Sequence, residues 1–514
     1  MGKVHLFLSK THHHIRHAIR FNFTEKFSDR RSRDLWIFDC FDIARLGYKN
    51  VTILDRSKDG FAASDAASND LNKVIRSDYS DESYCRLGKQ AISSWRTDST
   101  FSPFYHETGV VFRSGDGKNA FSQKYEKHCE RGVERANRKQ DDSIEITSKG
   151  KQMPRNAFIL NNQEDLLSAF PTSMHNQLGD GFKGFGEHQY GYANPRGGWA
   201  EANNATRAAL EEAVRIGGVK VINKATVTEL LLEGDEKEEK KKVIGVRTQD
   251  GRSFHADHVI LAVGSWSRLL ISKLLPNSKT NIISPAFPSA QCVLTIQLTP
   301  EQSQPFRGTP VVVNLDNGFY IFEPNADNIL KCAIHGDEGF ANPAPNYEDF
   351  DGKPYPSFDH GMQANFMGDK KPSKLSKESA QTFIPEDKVD QMMSELIRLY
   401  PHIAKVDRKR ISSRICWYSD THDENWLIDE HPEISKLLIV GGDSGHAFKF
   451  LPIIGRLILA RIGLSEIEPL TDHQKKVFSF AHHMNLTERV NRGEYIESAD
   501  SGRSSGPVPV KQDV

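Results

Sequence analysis

The sequence has no charge surplus, no cysteine pattern and no long apolar run, and each absence removes a class of protein. Lys and Arg total 67 against 68 Asp and Glu, a formal net charge of −1. Without a basic excess there is no electrostatic footprint for nucleic acid, and recognition of anions has to be local. The six cysteines (Cys40, Cys85, Cys129, Cys292, Cys332, Cys416) lie far apart, with no C-x-x-C pair and no paired Cys/His spacing. Neither structural zinc nor a disulfide framework is expected, and no metal is assigned. A bilayer-spanning helix needs roughly 20 apolar residues, and the best candidate, Phe450 to Leu464, is broken by Arg456 and Arg461. No membrane partner is expected. The N-terminus carries Thr11-His-His-His-Ile-Arg-His17 but no apolar core followed by a cleavage site, and the C-terminus ends without a peroxisomal tripeptide. The expected setting is intracellular, cytoplasmic or peroxisomal.

What is present is enough apolar sequence for a large core. At 514 residues, 38% hydrophobic and 26% charged, the chain is longer than one core usually supports, which predicts two domains or one α/β domain with an inserted partner. Tyr48 to Asp55 reads as a buried parallel strand ending in an acid. Tyr84 to Trp95 reads as a helix, Phe101 to Phe112 as a strand region, and Ala200 to Ile216 as a helix stopped by Gly217-Gly218. Strands follow at Val219–Ile222, Ala225–Leu232, Lys242–Thr248 and His258–Val263, with a solvated hairpin tip over 233–242. A strand-rich block covers about 283 to 338, and Val293 to Leu298 alternates as a sheet with one wet face would. A helix over Pro385 to Tyr400, a strand over Ile411 to Thr421, the strand Leu437–Gly442 and an apolar helix over Ile453–Ile462 complete the pattern. Residues 113–155 and 341–380 read as polar insertions, and 490–514 as a disordered tail.

Two positions carry chemistry on their own. In Leu437 to Gly455 a strand feeds glycines and then a helix, a turn that can bring backbone amides to an anion, although an ordinary tight connection accounts for an isolated Gly-Gly equally well. Lys331 lies in the apolar run Ile329-Leu-Lys-Cys-Ala-Ile-His335. A buried lysine is costly unless paired, so this one either points to water from an edge strand or serves a site.

Four separated segments then match one family. Asn69-Asp-Leu-Asn-Lys73-Val-Ile-Arg76, Arg414-Ile-Cys416-Trp-Tyr-Ser-Asp-Thr421, Leu427-Ile-Asp-Glu-His-Pro432 and Ser444-Gly-His-Ala-Phe-Lys449-Phe together resemble the monomeric sarcosine oxidase family of FAD-dependent amine oxidases. The resemblance is strongest to its fungal branch of L-saccharopine, L-pipecolate and fructosyl amino acid oxidases, and covers about residues 45–465. It implies an α/β fold, with a Rossmann-like FAD-binding domain (35–80, 183–282, 405–470) interleaved with a substrate domain built on a mixed or antiparallel sheet (81–182, 283–404). It implies FAD bound through Asp55, Asn72, Lys73, Val227, Gly264, Trp266, Gly445, His446, Phe448 and Lys449, with a thioether at Cys416. Taken alone, a cysteine beside Trp417 is more often an inert buried thiol. It implies a substrate carboxylate held by Arg76 and Lys449, and a catalytic Lys331 that favours O2 reduction by placing positive charge beside developing superoxide. The expected partners are a small amino acid and O2, in a monomer.

The resemblance implies oxidation of a secondary amine in an amino acid to an imine, with hydrogen peroxide as the second product. Arg76 favours saccharopine, pipecolate or an N-methyl amino acid over a fructosyl adduct, whose oxidases carry a small polar residue there. Departure from the family begins upstream of Ile43. The family's G-x-G-x-x-G turn is absent, since residues 1–47 hold only Gly2 and Gly47. The segment 1–34 is unlike the family, through either a replaced first exon or a true loss that weakens FAD binding. Asp39 and Asp42 near a pyrophosphate would repel it. A non-catalytic family member and a nicotinamide-dependent dehydrogenase of related fold stand as alternatives.

Overall fold

The computed structural model describes residues 4–8, 37–55, 67–114, 130–137, 157–187, 189–234, 240–278, 285–335, 340–341, 384–464, 469–494 and 496. Most of both polar insertions, the hairpin tip over 235–239 and residues 497–514 of the expected tail lie outside these. Of the first insertion, 130–137 are helical. The last helix, Phe480–Asn491, crosses the expected start of the tail at 490 because Ser479 caps it and Phe480, His483 and Leu486 are buried. Among the described residues no helix is long and apolar enough to cross a membrane.

A six-stranded sheet runs in the order Leu427–Glu430, Leu437–Gly441, His258–Leu261, Val4–Leu8, Val51–Asp55, Val219–Ile222. Four of its strands, Val51–Asp55, Val219–Ile222, His258–Leu261 and Leu437–Gly441, point the same way. Between them Val4–Leu8 runs antiparallel to both neighbours. The N-terminal segment unlike the family thus supplies a central strand of this sheet. The helices Ala202–Ile216 and Ile37–Arg45 pack together beside it. The first of these stops as the glycine pair predicts, with Gly217 at φ +91, a conformation costly for any side chain.

A nine-stranded mixed sheet is built around Phe287–Gln297, which pairs antiparallel with Ile329–Ile334 on one side and Ile411–Asp420 on the other. It departs from the sequence reading in two ways. Phe287–Gln297 has no continuous wet face: Ala290, Cys292, Leu294 and Ile296 enter one core while Val293 enters another, and only Gln297 is exposed. A core lies on each face, so alternation here separates two buried environments rather than core from water. Secondly, Tyr190–Asn194 and Ile411–Asp420, expected in the FAD-binding domain, pair into this sheet with Val110–Ser114 and Phe287–Gln297. We keep the two-domain division as a proposal, with those two strands transferred to the substrate side.

Smaller elements close the gap between the sheets. Lys73–Ile75 and Tyr105–His106 flank Gly198–Ala200 in a three-stranded sheet. The helix Glu82–Thr97 is capped by Asp81, whose carboxylate accepts from Tyr84 N at 2.9 Å, and buries Tyr84, Leu87, Gly88, Ala91, Ile92 and Trp95 at three- and four-residue spacing. Gly88 is required by contact: a Cβ there would stand 2.9 Å from Ser77 Cα, so the helix lies directly against the segment that follows Arg76.

Candidate active site

A cavity of about 100 Å³ opens where these elements meet. Lys73, Arg76, Gly445, His446, Phe448 and Lys449 all line it, so six of the residues singled out in the sequence converge from two motifs far apart in the chain. The rest of its wall includes Phe112, Val313, Leu315, Tyr320, Phe322, His335 and Tyr418. Gly445 reaches the cavity in a left-handed conformation, φ +70, and a Cβ on it would meet Tyr418 Cε2 at 2.5 Å and His335 Cε1 at 2.8 Å.

The two cations expected to clamp a carboxylate share Tyr79. The Arg76 guanidinium lies 4.2 Å from the Tyr79 ring centroid and donates to Asp78 O at 2.9 Å. Lys449 Nζ donates to Tyr79 Oη and to His446 O, both at 2.7 Å. His446 Nε2 donates to Glu424 O at 2.8 Å, which leaves Nδ1 to accept from Tyr79 Oη at 3.2 Å. A relay of hydrogen bonds therefore fixes Lys449, Tyr79 and His446 in one orientation. Arg76 is held also by the Asp78 carboxylate at 3.5 Å, which Asn194 and Tyr192 support with their own hydrogen bonds.

Beneath the cavity floor lies the group that sequence reasoning missed. Asp70, with 2% side-chain exposure, pairs with Lys331 Nζ at 2.5 Å, Lys73 Nζ at 2.7 Å and Arg414 Nη2 at 3.1 Å. Burial opposes ionisation of Asp70, but the three cations outweigh it and hold the carboxyl well below the usual range. Lys331 is not on an edge strand. Its strand lies between Phe287–Gln297 and Phe319–Ile321, and Nζ donates to Asp70 and, at 2.8 Å, to Asn72 O. Burial lowers the Lys331 ammonium to about 8 despite Asp70. For Lys73 burial is outweighed by Asp70, and its pKa is raised. One carboxylate among three cations leaves this buried cluster net positive.

Cys416 lies on the same face of its strand as Arg414 and Tyr418, as the two-residue period requires. It is fully buried, and its Sγ accepts a hydrogen bond from Lys73 Nζ at 3.7 Å. Tyr418 and Tyr320 meet at 3.5 Å between hydroxyl oxygens, and burial pushes Tyr320 up to about 12. Tyr418 was legible as the residue two places beyond Cys416; nothing in the sequence pointed to Tyr320 or Phe322.

The remaining expected cofactor residues are not at the cavity. Asp55 ends Val51–Asp55, Gly264 and Trp266 follow His258–Leu261, and Val227 begins the strand after Val219–Ile222. All stand at or beyond the carboxyl ends of the sheet's parallel strands, as does the Gly442–Gly445 turn after Leu437–Gly441. In open α/β sheets this edge is where nucleotides bind.

A family model described as DAO, FAD dependent oxidoreductase, matches residues 40–461. The chain belongs to this family. It is 28% identical over 422 residues to L-saccharopine oxidase of Schizosaccharomyces pombe, covering 81% of this chain and 84% of that one. It is 25% identical over 287 residues to monomeric sarcosine oxidase of a Bacillus species, covering 55% and 60%. A modified fructosyl peptide oxidase from Aspergillus nidulans shares the fold, with a TM-score of 0.64 at 23% identity over 86% of this chain and 90% of that one. These likenesses bear out the expected α/β fold class, the sarcosine oxidase-like resemblance and an FAD-dependent amino acid oxidase.

The residues present fit FAD at its flavin end. Asn72 is wholly buried, yet among the described residues neither atom of its side-chain amide has a hydrogen-bond partner, an arrangement that wants a polar ligand. It adjoins Lys73, which lines the cavity together with Gly445. At Gly264, φ +47, a Cβ would meet nothing within 4 Å among the described residues, which leaves room for a ligand against the backbone. Asp42, in the helix Ile37–Arg45, faces Arg456 at 3.6 Å, so its carboxyl is engaged by a cation of the protein itself.

Two buried carboxyls, Asp443 within the Gly442–Gly445 turn and Asp420 on the strand Ile411–Asp420, make stability depend on pH. Burial pushes Asp420 up to about 7 and Asp443 up to about 6, from an ordinary 3.8. Among the described residues Asp420 Oδ1 has no hydrogen-bond partner. A carboxyl with a raised folded pKa contributes its stability fully below the unfolded value and loses it as pH rises through the folded one. Asp420→Asn, which removes the titration, is expected to unfold at a higher temperature than wild type at pH 8 and to show little advantage at pH 4. Thermal melts across that range check this; an advantage independent of pH would contradict it.

Proposed function

We propose that this FAD-dependent oxidase acts on a secondary-amine amino acid of the saccharopine, pipecolate or N-methyl amino acid type, producing an imine and hydrogen peroxide. The observation that carries the reading is the convergence of Arg76 and Lys449 on Tyr79 at a cavity whose remaining wall is mostly aromatic and aliphatic. Two fixed cations suit a carboxylate, and the apolar wall suits the hydrocarbon body of an amino acid.

FAD, when bound, would supply the redox chemistry, a hydride acceptor for the carbon beside the amine and an electron donor to O2. Asn72, Lys73, Gly445, His446 and Phe448 would hold its flavin end, with Cys416 as the covalent tether. Asp55, Val227, Gly264 and Trp266 would hold its nucleotide end. The chain's own contribution is orientation and charge. Arg76 and Lys449 fix the α-carboxylate, which leaves the Cα and amine no freedom to turn away from the reacting face. Phe112, Val313, Leu315 and Phe322 exclude water and strengthen each charge interaction inside. The surplus positive charge of Lys331, Lys73 and Arg414 over Asp70 favours negative charge developing above the floor, and this is the role proposed for Lys331.

Arg76→Ala is expected to raise the apparent KM and lower kcat together, with a combined loss of about 2–4 kcal/mol, since charge-assisted bonds contribute roughly 1.5–3 kcal/mol each. Adding Lys449→Ala should cost less than the sum of the two, because both serve one anion. A secondary amine without a carboxylate should be nearly indifferent to either change. If it loses as much activity as the amino acid does, these residues hold the fold or the flavin instead.

A further inference from the structure

On the far side of the Thr421–Trp426 loop, Asp423 meets two adjacent histidines from the first turn of the helix Phe480–Asn491. His482 Nε2 lies 2.6 Å from Asp423 Oδ2, and His483 Nδ1 lies 3.8 Å from Asp423 Oδ1. The three groups offer one ligand atom each, all within 4.8 Å of one another. His483 supplies the informative detail. It is 1% exposed, and its Nε2 faces Trp426 O at 3.1 Å. A carbonyl can only accept, so Nε2 carries the ring proton and the neutral ring presents a bare lone pair at Nδ1. Among the described residues that nitrogen has no hydrogen-bond partner, and it faces a carboxylate oxygen across a gap too long for a hydrogen bond. A lone pair set against a buried carboxylate is repulsive unless a cation stands between them.

We propose that Asp423, His482 and His483 form a binding site for a divalent transition-metal ion of the zinc class, with one carboxylate and two imidazole ligands.

The chemistry suits that class, because imidazole with a single carboxylate selects zinc and its first-row neighbours over calcium or magnesium. The supporting contacts are of the kind that orient metal ligands. Trp426 O fixes the His483 tautomer, while Asn425 donates to Asp423 through its backbone N at 3.1 Å and its Nδ2 at 2.7 Å. Tetrahedral zinc bonds of about 2.0–2.2 Å place ligand atoms roughly 3.3–3.6 Å apart, so the His482–Asp423 pair at 2.6 Å opens and the wider separations, none above 4.8 Å, close on binding. On binding, the ion takes the place of the proton that His482 Nε2 donates to Asp423; Nε2 gives that proton up to solvent, and the neutral ring carries its proton on Nδ1 instead. His482, with 19% side-chain exposure, gives the ion its path from solvent and leaves a side open for water. The ion would brace the last helix against the loop whose Glu424 O anchors His446 and whose Trp426 stacks on the His446 ring, 5.5 Å between centroids. It would thus stiffen one wall of the cavity without touching substrate.

The test uses the flavin-loaded full chain, stripped with a chelator, dialysed against zinc and then against metal-free buffer. Metal content and zinc titration calorimetry should show one tightly held zinc per chain, and cobalt in its place should give a visible ligand-field spectrum. Asp423→Asn and His482→Ala should each weaken zinc binding by roughly 100-fold or more. His482 is partly exposed, so its variant reads the site even if the Asp423 variant fails to fold. No retained zinc in wild type overturns the proposal. So does equal retention in both variants, which would place the ion elsewhere, for instance on the histidines of Thr11-His-His-His-Ile-Arg-His17.

Discussion

Replacing Asp70 by asparagine is expected to destabilise the folded protein by about 3–5 kcal/mol, the usual penalty for removing one partner of a buried ion pair. The carboxylate has 2% side-chain exposure and faces three cations, of which Lys331 is wholly buried and Lys73 has 11% side-chain exposure. Asparagine keeps the shape and removes the charge, so the cations would repel one another without a counter-ion in a medium that screens poorly. Denaturant unfolding at neutral pH measures the difference. The sign with pH follows from the depressed Asp70 pKa: its contribution is present above the ordinary 3.8 and is lost only as pH falls through the lower folded value. The gap between wild type and Asp70→Asn should therefore persist down to pH 4 and close below it. A loss under about 1 kcal/mol would mean that the cations find another partner, and the net positive floor would have to be abandoned.

The second large effect concerns Cys416. Acid precipitation of flavin-loaded wild type is expected to carry the yellow colour into the pellet, and Cys416→Ser should release all of it to the supernatant. The sulfur is buried on the face it shares with Tyr418, and the Lys73 ammonium donates to it. Colour in the supernatant of wild type would refute the covalent tether while leaving a non-covalent oxidase intact. Retention by Cys416→Ser would move the tether to another residue.

The sequence made the pieces of this site legible to different depths. Lys331 was recognisable as an anomaly because an ammonium in an apolar strand has to be paired, but its partner was not, since Asp70 lies in a distant segment that only the fold brings within 2.5 Å. Cys416, Arg76 and Lys449 were identified by resemblance; taken alone, each had a commoner fate as an inert thiol or a solvated cation. The helices over Glu82–Thr97, Ala202–Ile216 and Glu386–Leu399 followed from local signals, namely caps, periodicity and glycine stops. Sheet membership did not. Ile411–Asp420 reads identically whether it pairs with Leu437–Gly441 or with Phe287–Gln297, because pairing is decided by long-range packing rather than by the strand's own alternation. Asp423, His482 and His483 carried no recognisable ligand spacing, being brought together only when the last helix docks on the loop.

The most direct test of the central claim is oxygen consumption by the purified, flavin-loaded protein with secondary-amine amino acids, in the absence of any nicotinamide cofactor. Oxygen uptake with an equal yield of hydrogen peroxide is predicted for at least one of saccharopine, pipecolate and an N-methyl amino acid, and should be largely lost in Arg76→Ala. Failure of the flavin-loaded protein to consume oxygen with all three, or turnover that depends on added NAD(P), would contradict the account.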